Sequence, residues 1–579
     1  MHRLVIASVA ALAVLLGPSG AAVGRTPTPV AAPLAVGTGG AAASVEPIAT
    51  GVAIDTLEHG GNAVDAAVAA AATLGVVEPF SSGIGGGGFM VVYRAADHSV
   101  TTIDGRETAP AAFRPDSFLE GGAPIPFNDA VTSGLSVGVP GTFRTWQVAA
   151  ERFGTMPLQR LLAPARAIAA GGFVVDQTFH DQVVSNAARF SKFTSTSALY
   201  LAGGEAPATG SLFRNPDLAM TYGRLAGGGA DSFYRGKIAQ AIVDTVRQPP
   251  IEAGVTGVRP GVMTTTDLAS YRAPLRPPTN ITYRGLDVYG MGPPSSGGST
   301  IGEALNILEG FNLPALDHVT RHHLMFEASA LAYADRNQYL ADPDFVNVPL
   351  AGLLSDSYAA ERRALIGWPV DQTTNVPYAF GDPTDNTGPS TTHLTVSDRW
   401  GNAVSYSFTI EQIGGSGIVV PGYGFLLNNE LTDFNFGTGT ANSPAGGKRP
   451  RSSMAPTIVL RDGAPAVALG SPGGSMIPTT VLQILVDHLD GGLSLLDALA
   501  EPRASQRNTA TVAAEPAFIA SPEATLLSLL HGHRFSSSAE IGAATGIRFL
   551  PGGVVQAVAE PVRRGGGSAM VVEPALAAR

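Results

Sequence analysis

The chain has 579 residues, no cysteine and a net charge of −11, with only 14% of its residues charged. The missing thiols exclude a cysteine nucleophile, Cys-ligated zinc and disulfide stapling, so stability rests on the large packed core that a chain of this length can bury. Sparse, net-acidic charge argues against nucleic acid as a partner. Length alone would allow three or four domains, but no charged or Ser/Pro-rich linker interrupts residues 50–380, which favours one intertwined body.

Met1-His2-Arg3 precedes an apolar run from Leu4 to Leu16 and the small residues Gly17-Pro18-Ser19-Gly20-Ala21-Ala22. This is the pattern of a secretory signal peptide over residues 1–22, and the run is short of the ~20 residues that a spanning helix needs. The mature protein is expected to be exported, with no membrane span. Residues 23–45, rich in Ala, Gly, Pro and Thr and without periodicity, are expected to form a flexible lead-in.

Ala63–Leu74 is a strong helix former and is followed by Ser81-Ser82-Gly83-Ile84-Gly85-Gly86-Gly87-Gly88. The Gly-rich run leads into a strand at Phe89–Tyr93 and carries no Lys, so it reads as close backbone packing rather than a phosphate loop. A second strand, Thr101–Asp104, ends at Gly105-Arg106-Glu107. Helices are expected from Thr142 and over 159–171, 236–246, 299–309 and 318–341. The 11 His are read as giving no metal-ligand set, and the adjacent pair His322-His323 is placed on a helix surface. Asp335 and Arg336 read as structural ion pairs, and the polar, aperiodic stretch 366–390 as an exposed segment.

The most informative stretch is Pro389-Ser390-Thr391-Thr392-His393-Leu394-Thr395-Val396-Ser397-Asp398. Its alternation predicts a half-buried strand, a turn follows at Arg399-Trp400-Gly401, and Ala403–Thr409 alternates in turn, so the pair reads as a β-hairpin. Folded about Trp400, Asp398 faces Asn402 and Thr391 falls opposite Thr409. On the hairpin alone, a cross-strand Thr pair serves ordinary sheet packing equally well. Downstream, Glu430-Leu431-Thr432-Asp433, Arg451-Ser452-Ser453 and Gly470-Ser471-Pro472-Gly473-Gly474-Ser475 precede a helix at 477–489.

With these motifs the sequence resembles the γ-glutamyltranspeptidase family of N-terminal nucleophile hydrolases, over nearly all of the chain after the leader. The resemblance implies an α+β fold, a four-layer αββα sandwich built jointly by a large fragment (46–390) and a small one (391–579) that remain together as a heterodimer. Cleavage between Ser390 and Thr391 would make Thr391 a new N-terminus. An N-terminal Thr carries its own base, because an α-amine of pKa about 7.7–8.0 titrates near working pH.

The same resemblance implies roles for other residues. Thr409 would hold the nucleophile, and the backbone N–H groups of Gly473 and Gly474 would stabilise an oxyanion; read without it, that Gly pair is an ordinary helix-start turn. Arg106, Ser452 and Ser453 would grip an α-carboxylate, and Glu430 and Asp433 an α-ammonium. The expected substrates are glutathione and related γ-glutamyl amides, with water or an amino acid or peptide as acceptor and no metal or organic cofactor. Two departures stand out: Glu411 occupies a position where bacterial members commonly have Asn, and the segment between Phe434 and Ser452 is short for a lid over the site. An acylase of glutaryl-β-lactams or poly-γ-glutamate and a non-catalytic exported binding protein are the alternatives.

Overall fold

A computed structural model describes residues 32–367, 375–380 and 391–575. The expected signal peptide, Ser390 and most of the polar 366–390 stretch lie outside the described residues.

The architecture is built on one hydrogen-bonded sheet of thirteen strands. In chain order these are β1 (Leu34–Ser44), β2 (Gly87–Arg94), β3 (Ser99–Gly105), β4 (Leu275–Arg276), β5 (Thr279–Tyr283), β6 (Leu286–Gly290) and β7 (Thr392–Asp398). They continue with β8 (Ala403–Thr409), β9 (Thr457–Arg461), β10 (Ala464–Gly470), β11 (Thr545–Phe549), β12 (Val555–Ala559) and β13 (Ser568–Pro574). Their spatial order is β4-β3-β2-β8-β7-β1-β12-β11-β10-β9-β6-β5, with β13 also paired to β1. The sheet folds back on itself, so that β7 and β8 lie face to face with β10 and β11.

Helices cover both outer surfaces. On one side lie α1 (Pro47–Glu58), α2 (Ala63–Val77), α3 (Thr142–Phe153) and α4 (Leu158–Gly171). The other side carries α5 (Gly297–Glu309), α6 (His318–Tyr339), α7 (Ile477–Leu489), α8 (Leu495–Ala500) and α9 (Pro522–His531). The result is the expected α+β, helix–sheet–sheet–helix sandwich.

The stacking corrects one expectation. The hairpin strands were expected to be half-buried, yet every residue of β7 and β8 is buried. Leu394, Val396, Val404, Tyr406 and Phe408 enter the core beneath α2, while the opposite face packs polar side chains against the second layer. There His393 Nδ1 contacts Ser407 Oγ at 2.8 Å and Ser405 Oγ donates to the Leu469 carbonyl at 3.0 Å. Burial pushes the His393 imidazole down to about 3, so it is neutral and structural.

The predicted register holds. Ser397 pairs with Ala403 and Thr392 with Phe408, and the Asp398 amide donates to the Asn402 carbonyl at 3.1 Å. The Asp398 carboxylate fixes the turn, accepting from the Trp400 and Asn402 amides at 2.9 and 3.0 Å and reaching the Ala63 amide at the start of α2 at 2.9 Å. Helix α2 starts where a capping box forms: Asn62 Oδ1 accepts from the Val64 and Asp65 amides, and Asp65 Oδ2 accepts from the Asn62 amide.

The flexible lead-in expected over 23–45 is also corrected from Leu34 onward. Strand β1 is the central strand, paired antiparallel with β7, β12 and β13. Its Gly and Ala side chains have little intrinsic strand preference; what they supply is closeness, since a Cβ on Gly37 would stand 2.1 Å from the Glu573 carbonyl. The run at 83–88 packs as expected: a Cβ on Gly86 would stand 1.9 Å from the Thr409 carbonyl oxygen.

Candidate active site

The open end of the β7–β8 hairpin borders a pocket of about 280 Å³. It is lined by Arg106, Thr391, Thr409, Glu411, Glu430, Asp433, Ser452, Ser453, Met454, Gly474 and Ile477. Nine residues singled out in the sequence thus converge, though they come from regions as far apart as the end of β3 and the loop before α7. Gly473 adjoins Gly474 just outside the lining, with φ of +139° and +57° respectively. Both values are left-handed, so glycine is the residue that adopts them without strain.

Thr391 and Thr409 are both buried, extending the register by one step past Thr392 and Phe408. The Thr391 carbonyl accepts from Arg564 Nη1 at 3.1 Å, and Thr392 Oγ1 donates to Glu78 Oε2 at 2.7 Å. Burial pushes the Glu78 carboxyl up, against the pull of Arg564. Thr409 Oγ1 accepts from the Glu411 amide at 2.8 Å, and this bond ties the second threonine to a residue with φ of +77°. A Glu in that region is strained, as backbone at functional sites often is.

Charge in the pocket is lopsided. Arg106 is the one cation among the described lining residues, against Glu411, Glu430 and Asp433. Its guanidinium pairs with both Glu430 and Asp433, while Nε and Nη2 donate to the Pro450 and Arg451 carbonyls at 3.1 and 3.0 Å. Burial works against the Arg106 charge, but Glu430 and Asp433 hold it cationic. Burial pushes the Glu430 carboxyl up to about 7, with Arg106 pulling it back. The Glu411 carboxyl is raised well above its usual range by burial and by Asp433 and Glu430. It accepts from Asn429 Nδ2, from Gln412 Nε2 at 2.8 Å and from Thr432 Oγ1 at 3.4 Å. Arg106, expected at the opposite end of a zwitterion from Glu430 and Asp433, is therefore in direct contact with both.

Other residues escaped the sequence reading. Met454 and Ile477 form apolar walls. Glu107 lies fully buried behind Arg106, its carboxyl raised well above the usual range by burial and by Glu430; only its place directly after Arg106 hinted at it. Arg336, expected in a structural ion pair, donates to Ser453 Oγ at 2.6 Å and Ser296 Oγ at 2.9 Å and so reaches the pocket wall, while Asp335 pairs with Arg362 at 2.9 Å. No helix among the described residues is long and apolar enough to cross a membrane.

Comparison with known proteins agrees with this geometry. The sequence profile described as gamma-glutamyltranspeptidase matches residues 49–570. A glutathione hydrolase proenzyme from Bacillus subtilis (strain 168) is 42% identical over 487 residues, 81% of each chain. The acylase ACY 1 proenzyme of Pseudomonas sp. (strain V22) is 35% identical over 535 residues, covering 91% of this chain and 92% of that one. Among solved structures, the cephalosporin acylase from Bacillus halodurans superposes with a TM-score of 0.83 at 29% identity, over 96% of this chain and 99% of its own. A profile match across most of the chain, joined to relatives of this identity and coverage, places this protein in the γ-glutamyltranspeptidase family.

Proposed function

We propose that the chain is an exported γ-glutamyltransferase and glutathione hydrolase that cleaves itself between Ser390 and Thr391. The observation that carries this reading is the meeting of Thr391 and Thr409 with Arg106, Glu430, Asp433, Ser452 and Ser453 around one pocket. Export rests on the leader pattern of residues 1–22.

In processing, Thr391 Oγ attacks the Ser390 carbonyl carbon, the peptide nitrogen leaves as the Thr391 α-amine, and water hydrolyses the resulting ester. Two fragments, ending at Ser390 and beginning at Thr391, stay together because the strands of the small one are interleaved with β1, β2 and β3 in a single sheet. In turnover, the freed α-amine takes the Thr391 hydroxyl proton as Oγ attacks the γ-carbonyl carbon. The leaving amine departs with that proton, and water or an amino acid then releases the γ-glutamyl group from the ester. The Gly473 and Gly474 amides stabilise the tetrahedral oxyanion, a contribution of about 10²–10³ in rate per donor. A donor's α-carboxylate exchanges for part of the Arg106 pairing beside Ser452 and Ser453, which leaves Glu430 and Asp433 facing its α-ammonium.

A second reading, acylase action on glutaryl side chains, is favoured by the overlay on a cephalosporin acylase. The acids lining the pocket speak for a donor with an amine, which glutaryl lacks. Relative rates on γ-glutamyl- and glutaryl-p-nitroanilide test this: faster γ-glutamyl release is expected, and faster glutaryl release overturns the assignment. N-terminal sequencing of the smaller fragment should read Thr-Thr-His-Leu.

A further inference from the structure

Five of the chain's 11 histidines gather far along the sequence from the pocket residues, on α6 and at the end of α9. His318 and His322 stand four residues apart on α6 and so share one face, with ring centroids 4.3 Å apart. The sequence reading overlooked this spacing and placed His322 at the surface, yet His322 and His323 are both fully buried. Glu523, in the first turn of α9, faces the pair: its carboxylate oxygens lie 2.6 Å from His322 Nδ1 and 3.2 Å from His318 Nδ1. Behind the ring, His322 Nε2 meets Asp487 Oδ1, in the last turn of α7, at 3.1 Å.

Two features separate this cluster from an ordinary buried ion pair. First, His322 Nδ1 and Glu523 Oε1 stand 2.6 Å apart without good hydrogen-bond alignment and have no other hydrogen-bond partner, so both atoms are turned toward the same space. Second, the cluster is graded in exposure. The His322 and Asp487 side chains are enclosed, Glu523 is 17% exposed and His318 39% exposed, which leaves a path for an ion and for the water that completes its shell. One donor atom from each of His318, His322 and Glu523 lies within 4.8 Å of the others.

We propose that His318, His322 and Glu523 bind a borderline divalent cation of the Zn²⁺ class, with Asp487 as the carboxylate that orients His322. Two imidazoles and one carboxylate with room for water form a recurrent zinc donor set, whereas Ca²⁺ and Mg²⁺ prefer all-oxygen shells. A carboxylate on the far nitrogen of a ligating His fixes its tautomer and raises its basicity. Bonds of about 2.0–2.1 Å to a tetrahedral ion place donors roughly 3.3 Å apart; His318 Nδ1 stands 3.2 Å from Glu523 Oε2 and His322 Nδ1 2.6 Å from Glu523 Oε1, so a small rotation of the carboxylate brings one oxygen to an ion between the two rings. The ligands also straddle residue 390. His318 and His322 precede it, while Asp487 and Glu523 follow it, so the ion ties the two fragments together. That consequence rests on the proposed cleavage; binding itself does not.

The test is calorimetric titration of ZnCl₂ into tag-free, chelator-stripped protein. One saturable Zn²⁺ per chain is expected, both in the cleaved protein and in uncleaved Thr391→Ala, so failure of the cleavage reading leaves this test intact. Because His318 is partly exposed, His318→Ala should fold and lose binding by at least about 100-fold, and Asp487→Asn should weaken it about 10–100-fold. His533→Gln, in the neighbouring His323–His533 contact at 2.8 Å, should bind as the wild type does. In cleaved protein, Zn²⁺ should raise the urea midpoint for separation of the fragments, and do so no longer in His318→Ala. No saturable uptake, wild-type binding by His318→Ala, loss of the site in His533→Gln instead, or an unmoved urea midpoint would each overturn the proposal.

Discussion

Two buried clusters of arginine and glutamate invite comparison. Near the C-terminus, Arg503 and Arg563 meet Glu515 and Glu560. Arg503 bonds Glu560 at 2.8 Å, Arg563 bonds Glu560 at 3.0 Å and Glu515 at 2.5 Å, and the Arg503, Ile541 and Ala544 amides supply further donors at 2.9, 2.9 and 3.2 Å. Two cations face two anions, and both carboxylate oxygens of each Glu accept a bond. In the pocket, a single Arg106 serves Glu430 and Asp433 with Glu107 and Glu411 close by. Glu430 Oε2 and both Glu107 oxygens accept none. Desolvating carboxylates without partners is costly, so the acids of the first cluster are matched by its arginines and amides, whereas the second holds more acids than its one arginine pairs, an imbalance that fits the proposed ammonium contact.

That contrast is broken most severely at the nucleophile. Thr391→Ala should leave a single uncleaved band on a denaturing gel and lower γ-glutamyl-p-nitroanilide hydrolysis on the order of 10⁴-fold or more, with an unchanged urea midpoint relative to other uncleaved variants. Next comes the balanced cluster. Arg563→Met removes the guanidinium that pairs Glu515 and leaves Glu560 to Arg503, and should cost about 3–5 kcal/mol of stability in urea unfolding, with KM unchanged in whatever fraction folds. Glu430→Gln inverts this pattern. Asp433 still holds Arg106, so stability should be kept, while KM for γ-glutamyl donors rises about 10–100-fold, as expected for one lost charge-assisted contact. Glutaryl-p-nitroanilide, without an amine, should show no such rise. Equal effects on both substrates would mean that Glu430 is structural, like Glu560.

Physical reasons decide which parts of this arrangement a reader of the sequence can find. The β7–β8 register was readable because alternation and the turn at Gly401, whose φ is +87°, both fix it locally. Helix α2 was readable from the Ala run that fills it. Strand β1 was not, because its Ala and Gly residues prefer no strand and its partners lie beyond residue 390. His322 was misplaced for the same reason: a His on a long helix looks like surface until Asp487 and Glu523 arrive from distant helices to cover it. The pocket residues Arg106, Glu430, Asp433, Ser452 and Ser453 were found through family motifs, not spacing. Glu107 and Arg336, which lie behind them, sit in family-typical runs, but there Arg336 reads as structural charge and Glu107 has no assigned role.

The smallest effect sharpens the contrast through pH. Glu430 is raised from an ordinary value of 4.5 to about 7 by burial, with Arg106 opposing and Asp433 adding to the shift. Its folded form therefore holds a proton more tightly than its unfolded form. The resulting stability is fully present below pH 4.5 and is lost as pH rises through about 7. Donor binding runs the other way, because only the carboxylate attracts an α-ammonium, so KM for a γ-glutamyl donor should rise several-fold per pH unit below about 7. On the proposed cleavage, the Thr391 α-amine would titrate nearby, at about 7.7–8.0 when unperturbed, but as the proposed base it would move kcat, and KM separates the two. Glu107, Glu411, Asp433 and Arg106 face the same carboxyl and broaden the transition. The decisive comparison is the wild type against Glu430→Gln from pH 7.5 to 5.5. The variant should lose both the rise in KM and the gain in urea midpoint, whereas a KM profile identical in the two proteins would assign the ammonium contact to Asp433 alone.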